Sequence, residues 1–220
     1  MLNESDHELA RRGLRFVRYA DDMMIFCKSR KAAERVLKSM TKYMEEKLFL
    51  KVNQEKSKVA YVGSNTVKFL GYGFYINKEG QGDLRVHPLS FKKLKDKLRQ
   101  LTGRSNGMSI VGRRQKLNQL IQGWVNYFKL AKMAAKLKAI DAWLRRRLRM
   151  VTWKRWKLPK TRYLYLTRTA LNKNHCRFLA NTRNKYWYVA GSPWMQVAIP
   201  NIYFEKAGYL TLTDCYTLSI

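Results

Sequence analysis

Two adjacent acidic residues, Asp21 and Asp22, divide an apolar stretch near the start of the chain. Residues 14–20 before the acids and 23–27 after them have the length and apolar content of short strands. The stretch therefore predicts two strands joined in a hairpin at the acid pair. Aspartate is common in such turns because it tolerates their backbone geometry. Two carboxylates on a rigid turn can equally bind a hard divalent cation such as Mg²⁺, so a structural turn and a metal site both stay open at this point.

The segments that follow the hairpin predict a mixed helix and strand region. Ser29 is a suitable helix N-cap, and apolar residues recur at helical spacing over residues 30–48, which predicts an amphipathic helix. Residues 59–62 and 67–75 predict further short strands, and the glycines around residue 81 indicate a loop.

The next part of the chain predicts helices. Apolar periodicity favours one helix over residues 88–102, a second over 109–131 that Ser109 can cap, and a third over 134–156. Three amphipathic helices with basic outer faces predict a small bundle. Residues 161–220 are divided by prolines and glycines into short pieces that the sequence does not assign.

Positive charge is concentrated in this helical region. The whole chain carries a formal net charge of +30, and residues 92–160 hold 21 of its 45 basic residues with only Asp96 and Asp141 as acids. Such an excess of positive charge indicates the kind of binding partner and not the fold, and it favours a polyanion as that partner. Nucleic acid is the partner we expect from it.

Membrane and disulfide-rich classes do not fit the sequence. No apolar run approaches the roughly 20 residues of a membrane span, and no lipidation signal is evident, so we expect no membrane partner. Cys27, Cys176 and Cys215 are scattered without metal-binding spacing, which fits a reducing, cytoplasmic location.

A run of basic residues in and beside the predicted helices is the candidate nucleic-acid surface. A charge run is usually a solvated helix face, but this one has no acids to pair with between Asp141 and Glu205, so contact with a polyanion is favoured. The candidates are Arg113, Arg114, Arg145, Arg146, Arg147, Arg149, Lys154, Arg155 and Lys157. The helical spacing of Trp124 and its aromatic neighbours favours core packing over stacking on bases.

Four motifs in order resemble those of a known family. Tyr19-Ala20-Asp21-Asp22 resembles the Tyr-x-Asp-Asp box of reverse transcriptases. Residues 53–58 (Asn-Gln-Glu-Lys-Ser-Lys) and 69–74 (Phe-Leu-Gly-Tyr-Gly-Phe) resemble the two motifs that follow it in polymerases. Residues 120–131 with 142–157 are similar to the maturase-specific region of group II intron reverse transcriptases.

The resemblance implies roles for particular residues. Asp21 and Asp22 match catalytic metal ligands, with Mg²⁺ as the cofactor of a completed polymerase site. Lys56 matches the lysine that protonates leaving pyrophosphate, although it could be one more surface lysine, and Lys58 competes for the role. The implied primer grip is Phe69, Leu70, Gly71 and Tyr72.

The resemblance also implies an architecture. Family members have a fingers region and an earlier palm half that supplies another metal-binding Asp, and we expect neither before residue 15, where Asp6 lies in a short helical lead-in ending near Gly13. The expected fold is α+β: a partial polymerase palm over residues 1–86, a basic three-helix thumb bundle over 87–160, and a small helical or irregular region over 161–220.

The expected function is that of a C-terminal half of such a protein. It would bind group II intron RNA, assist splicing, and support RNA-directed DNA synthesis only with the missing N-terminal half; target DNA is a further expected partner. We expect no polymerase activity from the chain alone. The alternative is a general basic RNA- or DNA-binding protein whose acid pair is vestigial.

Overall fold

A computed structural model describes residues 2–64 and 66–219. The chain forms two compact units, with unit 1 ending at His87 and unit 2 beginning at Pro88. Unit 1 mixes helices with two small antiparallel sheets and unit 2 is helical, which confirms the predicted α+β class. None of the helices in the described ranges is both long and apolar enough to cross a bilayer.

Unit 1 begins with a helix that ends at a glycine. The backbone N–H of Leu14 donates to the carbonyl of Leu9, and that of Gly13 donates to Ala10, with Gly13 at a φ of +66°. This is a Schellman end, which needs the left-handed conformation that glycine adopts without strain. The helices and strands of unit 1 are α1 Leu2–Arg11, β1 Arg15–Tyr19, β2 Asp22–Phe26, α2 Arg30–Glu46, β3 Tyr72–Ile76 and β4 Gly82–Val86.

The predicted hairpin is present, with its turn shifted by one residue. β1 and β2 pair antiparallel with Tyr19 opposite Asp22, so the turn residues are Ala20 and Asp21. Asp22 is the first residue of β2 and not a second turn residue. The predicted cap of α2 is confirmed, because the Ser29 hydroxyl accepts the backbone N–H of Ala32.

The second sheet differs from the prediction. Residues 59–62 form no strand, and the predicted strand over 67–75 is broken, because Leu70 and Gly71 both have positive φ and reverse the chain. β3 begins only after this turn. It pairs with β4, which starts at Gly82 where the sequence indicated a loop.

Within residues 88–219, unit 2 contains three long helices followed by six short ones. Ser109 caps the second of these helices as predicted, accepting the N–H of Gly112. The helices are α3 Pro88–Leu101, α4 Ile110–Phe128, α5 Ala134–Arg155, α6 Pro159–Leu166, α7 Lys173–Ala180, α8 Tyr186–Ala190, α9 Pro193–Ala198, α10 Asn201–Lys206 and α11 Leu212–Ser219.

The last helix completes the core of unit 2. α11 packs against both α4 and α5, and α8 packs against α5. The carboxylate of Asp141 on α5 accepts the backbone N–H groups of Leu212 and Thr213, each at 2.9 Å, and the Thr213 hydroxyl at 2.7 Å. These bonds satisfy donors at the start of α11. The three long helices therefore do not close a bundle by themselves, which corrects the predicted three-helix bundle.

Candidate functional site

The acid hairpin presents both carboxylates to solvent. Asp21 and Asp22 are exposed, and Ala20 has a φ of +54° at the first turn position. Positive φ at that position is typical of the primed turns that match the twist of paired strands. The guanidinium of Arg18 donates to the carbonyl of Ala20 at 3.0 Å, which holds the uncommon backbone conformation in place.

An ion pair joins this hairpin to helix α1. Arg18 Nε donates to the carboxylate of Asp6 at 2.8 Å, and the hydrogen bond from Arg18 holds the pKa of Asp6 below its usual value. The same guanidinium thus bridges α1 and the turn beside the acid pair. The sequence pattern predicts for Asp6 only a place in the lead-in helix. Its partner lies 12 residues away, and no local spacing rule connects them.

The acid pair can supply part of a magnesium site. No group of three or more His, Cys, Asp or Glu side chains that could hold a metal occurs within residues 2–64 and 66–219. Mg²⁺ usually keeps several waters and binds one or two carboxylates together with substrate phosphates. The two carboxylates of Asp21 and Asp22 fit the one or two protein ligands that such a magnesium ion needs.

The predicted leaving-group lysine lies on a separate turn. The backbone N–H of Lys56 donates to Asn53 Oδ1 at 3.1 Å, and the Lys56 side chain is exposed, as is that of Lys58. Lys56, Lys58, Asp21 and Asp22 all belong to the part of the chain that the structure describes. Neither lysine forms an ion pair with either aspartate there. The catalytic role of Lys56 stays a prediction.

The predicted primer-grip residues form one tight reverse turn. Phe69 and Tyr72 exchange backbone hydrogen bonds at 3.0 and 2.9 Å, and Leu70 and Gly71 between them have φ of +51° and +82°. Two consecutive positive φ values define a type I′ turn. The carbonyl of Gly71 accepts the N–H of His87 at 3.0 Å, so the turn is fastened to the end of β4. Its role at a primer stays a prediction.

Three of the predicted nucleic-acid residues lie inside unit 2. The exposed fractions of Arg113, Arg145 and Arg149 are 4, 4 and 7%. Arg113 donates to the carbonyl of Leu101 at 3.0 Å and to Asn106 Oδ1 at 2.8 Å. Burial lowers the pKa of all three guanidinium groups from its usual value. Side chains so enclosed are not part of the outer surface of unit 2, and their predicted contact with RNA stays a prediction.

Five of the arginines predicted to bind nucleic acid donate hydrogen bonds to backbone carbonyls at the ends of helices. A helix C-terminus leaves backbone carbonyls without partners and carries partial negative charge, so a guanidinium is favoured there. The carbonyl pairs are Arg113 with Leu101, Arg114 with Ala207, Arg146 with Trp187, Arg147 with Arg99 and Thr102, and Arg149 with Ile199. Part of the positive charge of unit 2 is therefore used to hold its own helices together.

The remaining predicted cations lie nearer solvent. Lys154 Nζ donates to Ser105 Oγ at 3.0 Å, and Arg155 and Lys157 are exposed. The predicted nucleic-acid role stays open for these three residues.

A second basic surface lies between α3 and α5. Trp143 is half-buried on α5, and its ring is approached by Lys95 Nζ at 5.9 Å and by Arg99 Cζ at 6.0 Å, both from α3. Lys136 Nζ lies 5.2 Å from the ring of Phe91. Lys95, Arg99 and Lys136 are exposed. We call Lys95, Arg99, Lys136 and Trp143 the α3–α5 basic face. Its residues lie on two separate helices, so no single run of the sequence indicates this face.

The Trp124 cluster packs beside this face. The Trp124 ring lies 5.4 Å from Phe91 and 4.7 Å from Phe128, centroid to centroid, while Tyr127 is 53% exposed. Trp124 itself is half-buried, so packing accounts for most of its contacts.

Replacing Arg147 with alanine is expected to lower the free energy of unfolding by about 2–4 kcal/mol, because hydrogen bonds to a charged donor contribute about 1.5–3 kcal/mol each and buried acceptors lose their partner. Arg147 donates to Thr102 Oγ1 at 2.6 Å and to the carbonyls of Arg99 and Thr102. Urea unfolding measures the change, with exposed Arg155→Ala as the control. Equal stability of the two variants would contradict the structural role of Arg147.

Two family models match the chain, and they follow one another in the same order as the acid hairpin and the α3–α5 basic face. Residues 1–74, which include the acid hairpin, match the family model of the reverse transcriptase (RNA-dependent DNA polymerase). Residues 91–170, which include the α3–α5 basic face, match that of the group II intron, maturase-specific domain. Comparison with curated proteins found no match. The reverse transcriptase match followed by the maturase-specific match supports assignment of the chain as a group II intron reverse transcriptase/maturase.

Proposed function

We propose that unit 2 binds group II intron RNA and that this binding assists splicing. The observation that supports the proposal most directly is the α3–α5 basic face within the maturase-specific match at residues 91–170. Its lysines and arginine are exposed, while Arg113, Arg145 and Arg149 are buried within the fold. The exposed set is the part of the charge that phosphates can reach, and Arg99 within it also pairs with Asp96 at 2.6 Å on the same helix.

The chemistry of this face suits a folded RNA. Exposed cations neutralise phosphates and release counterions, which makes binding strong at low salt and weaker as salt rises. The half-buried ring of Trp143 stands among these cations and offers a surface on which an unpaired base can stack. A protein that binds the folded form of an RNA and not the unfolded form stabilises the folded form by mass action.

Changing Lys95 and Arg99 together to glutamine is expected to weaken binding of group II intron RNA and to flatten its salt dependence. Each phosphate no longer neutralised removes about 0.7 from the slope of log affinity against log salt concentration on single strands, so the pair should remove about 1.4. Filter binding across a salt series measures the slope.

The matched control removes the same charge elsewhere in unit 2. Lys173 and Arg177 on α7 are exposed, and their double glutamine variant should leave the slope nearly unchanged. Equal slopes for both double variants would show that charge alone, and not the α3–α5 basic face, governs binding. Equal affinity for intron RNA and for unrelated RNA or DNA would favour a general basic nucleic-acid-binding protein.

A second proposed function is half of a polymerase site in unit 1. It is favoured by the exposed carboxylates of Asp21 and Asp22 within the reverse transcriptase match. In this proposal an N-terminal reverse transcriptase half supplies the further metal-binding Asp and the fingers. Asp21 and Asp22 would hold Mg²⁺, which neutralises charge that develops on the transferring phosphate. RNA-directed synthesis would then extend target DNA at this site.

A further inference from the structure

A polar cavity of about 240 Å³ lies in unit 2 between α5 and the short helices α8 to α10. Ala142, Gln196 and Asn201 line it and are exposed, so it opens to solvent. The other lining residues are Arg145, Arg146, Arg149, Ala190 and Gly191. A water molecule occupies about 30 Å³ in the liquid, so the space is larger than one water requires.

Arg145 has an unpaired charge beside this cavity. Its side chain is 96% buried, since 4% of the residue surface remains exposed, and neither Nη1 nor Nη2 has a hydrogen-bond partner. The ring of Phe204 lies 5.5 Å from Arg145 Cζ and offers a face but no acceptor. A buried charge without paired acceptors is costly, and native proteins normally satisfy such donors. Among the described residues the terminal nitrogens of Arg145 are the notable exception in this unit.

The two neighbouring guanidinium groups are already held in place. Arg149 donates to the carbonyl of Ile199 at 2.8 Å and to Asn201 Oδ1 at 2.7 Å. Arg146 donates to the carbonyl of Trp187 and lies 4.2 Å from the centre of its ring. Three arginines thus line one cavity, and two of them are fixed by contacts that do not use a ligand.

The backbone at Gly191 makes room for this arrangement. A Cβ atom at position 191 would lie 2.3 Å from Arg146 Cζ, a distance that real contacts do not show. The nearby acid Asp141 is engaged with the start of α11 through its three hydrogen bonds. Its carboxylate makes no hydrogen bond to the guanidinium of Arg145, although the charges of Asp141, Glu205 and Asp214 partly offset that cation.

The geometry points to a binding site for one phosphate group in this cavity, with Arg145 as its principal donor and Arg146 and Arg149 adding positive charge. A guanidinium presents parallel N–H donors that match the oxygens of a phosphate. The amides of Gln196 and Asn201 at the opening can donate to the same oxyanion. Nη1 and Nη2 have almost no exposed surface, so binding requires a rotation of the Arg145 side chain toward the cavity, where the phosphate supplies the acceptors that it lacks.

This site is distinct from the α3–α5 basic face. Arg145 is two residues from both Trp143 and Arg147, which places it roughly 200° around the helix from them. The phosphate can belong to an RNA strand or be free in solution, since both present the same oxygens. The phosphate site does not depend on the proposed function, because its first test uses no RNA.

Calorimetric titration of the full chain with inorganic phosphate, at constant ionic strength set by chloride, is the test. We expect saturable binding of one phosphate per chain. Gln196→Glu places a carboxylate at the opening and removes only one long hydrogen bond, from the Gln196 amide to the Gly191 carbonyl at 3.3 Å, and should weaken phosphate binding at least tenfold. Gln122→Glu on α4 makes the same charge change at another exposed position and should leave binding unchanged.

A second variant tests whether a loss of phosphate binding is caused by misfolding. Asn201→Asp keeps an acceptor for Arg149 and adds negative charge at the opening, so it should also abolish binding while the melting temperature is retained. Absence of saturable binding to the parent chain, or equal binding to the parent and Gln196→Glu chains, would overturn the proposal. Competition between phosphate and RNA in the parent chain, lost in Gln196→Glu, would assign the site to an RNA phosphate; binding without competition would assign it to free phosphate.

Discussion

Truncating Trp153 to alanine is expected to lower the free energy of unfolding of unit 2 by about 3–5 kcal/mol. Trp153 is 1% exposed on α5, and Arg162 of α6 lies with its Cζ 4.4 Å from the ring centre. The indole of Trp156 packs edge-on at 6.0 Å. Removing the ring leaves a large cavity and a guanidinium without the aromatic face on which it lies.

Urea unfolding with tryptophan-independent detection, such as far-ultraviolet circular dichroism, measures the loss. Phe178→Ala is the matched control, because it removes an aromatic ring that is 70% exposed and should change stability by less than about 0.5 kcal/mol. A loss below 1 kcal/mol for Trp153→Ala would show that the ring is not part of a rigid core.

The helical stripe of α5 shows how far periodicity could predict this core. Leu137, Ile140, Leu144 and Leu148 are buried as their spacing predicts. Trp143 belongs to the same stripe but remains half-buried, while Trp153 at the end of the helix is enclosed. Periodicity predicts which face turns inward, but it does not predict that α6 covers the last turn and that cations of α3 surround Trp143.

The basic residues mark the limit of composition as a guide to function. The sequence predicted that the arginines near residue 145 contact a polyanion because few acids are available to pair with them. The structure pairs most of them with backbone carbonyls at helix ends, partners that a count of acidic residues omits. The charge of the sequence predicts that the partner is a polyanion. The tertiary structure is needed to identify which basic residues remain exposed on the surface.

The acid pair was the opposite case, because local sequence predicted its hairpin to within one residue at the turn. Neighbouring strands and a two-residue turn depend on contacts only a few residues apart, which local patterns describe. The Arg18 and Asp6 contact that holds the turn lies outside this range.

In a mixture with an N-terminal reverse transcriptase segment of a related group II intron protein, the chain is expected to support primer extension. Changing Asp21 and Asp22 together to asparagine should reduce extension in that mixture below detection. A neutral amide lacks the charge needed to hold Mg²⁺ against the repulsion of triphosphate oxygens. RNA binding by the double variant should stay equal or become slightly tighter, because two negative charges near the phosphate path are removed.

The matched control for this variant is a second pair of adjacent acids in unit 1. Glu45 and Glu46 are exposed on α2, and changing both to glutamine removes the same charge without touching the hairpin. Their double variant should extend primers like the parent chain. No extension by the parent mixture would contradict the polymerase half-site. Extension that survives the Asp21 and Asp22 substitutions would leave these residues the role of a turn, because a site that tolerates the loss of both carboxylates does not use them to hold its metal.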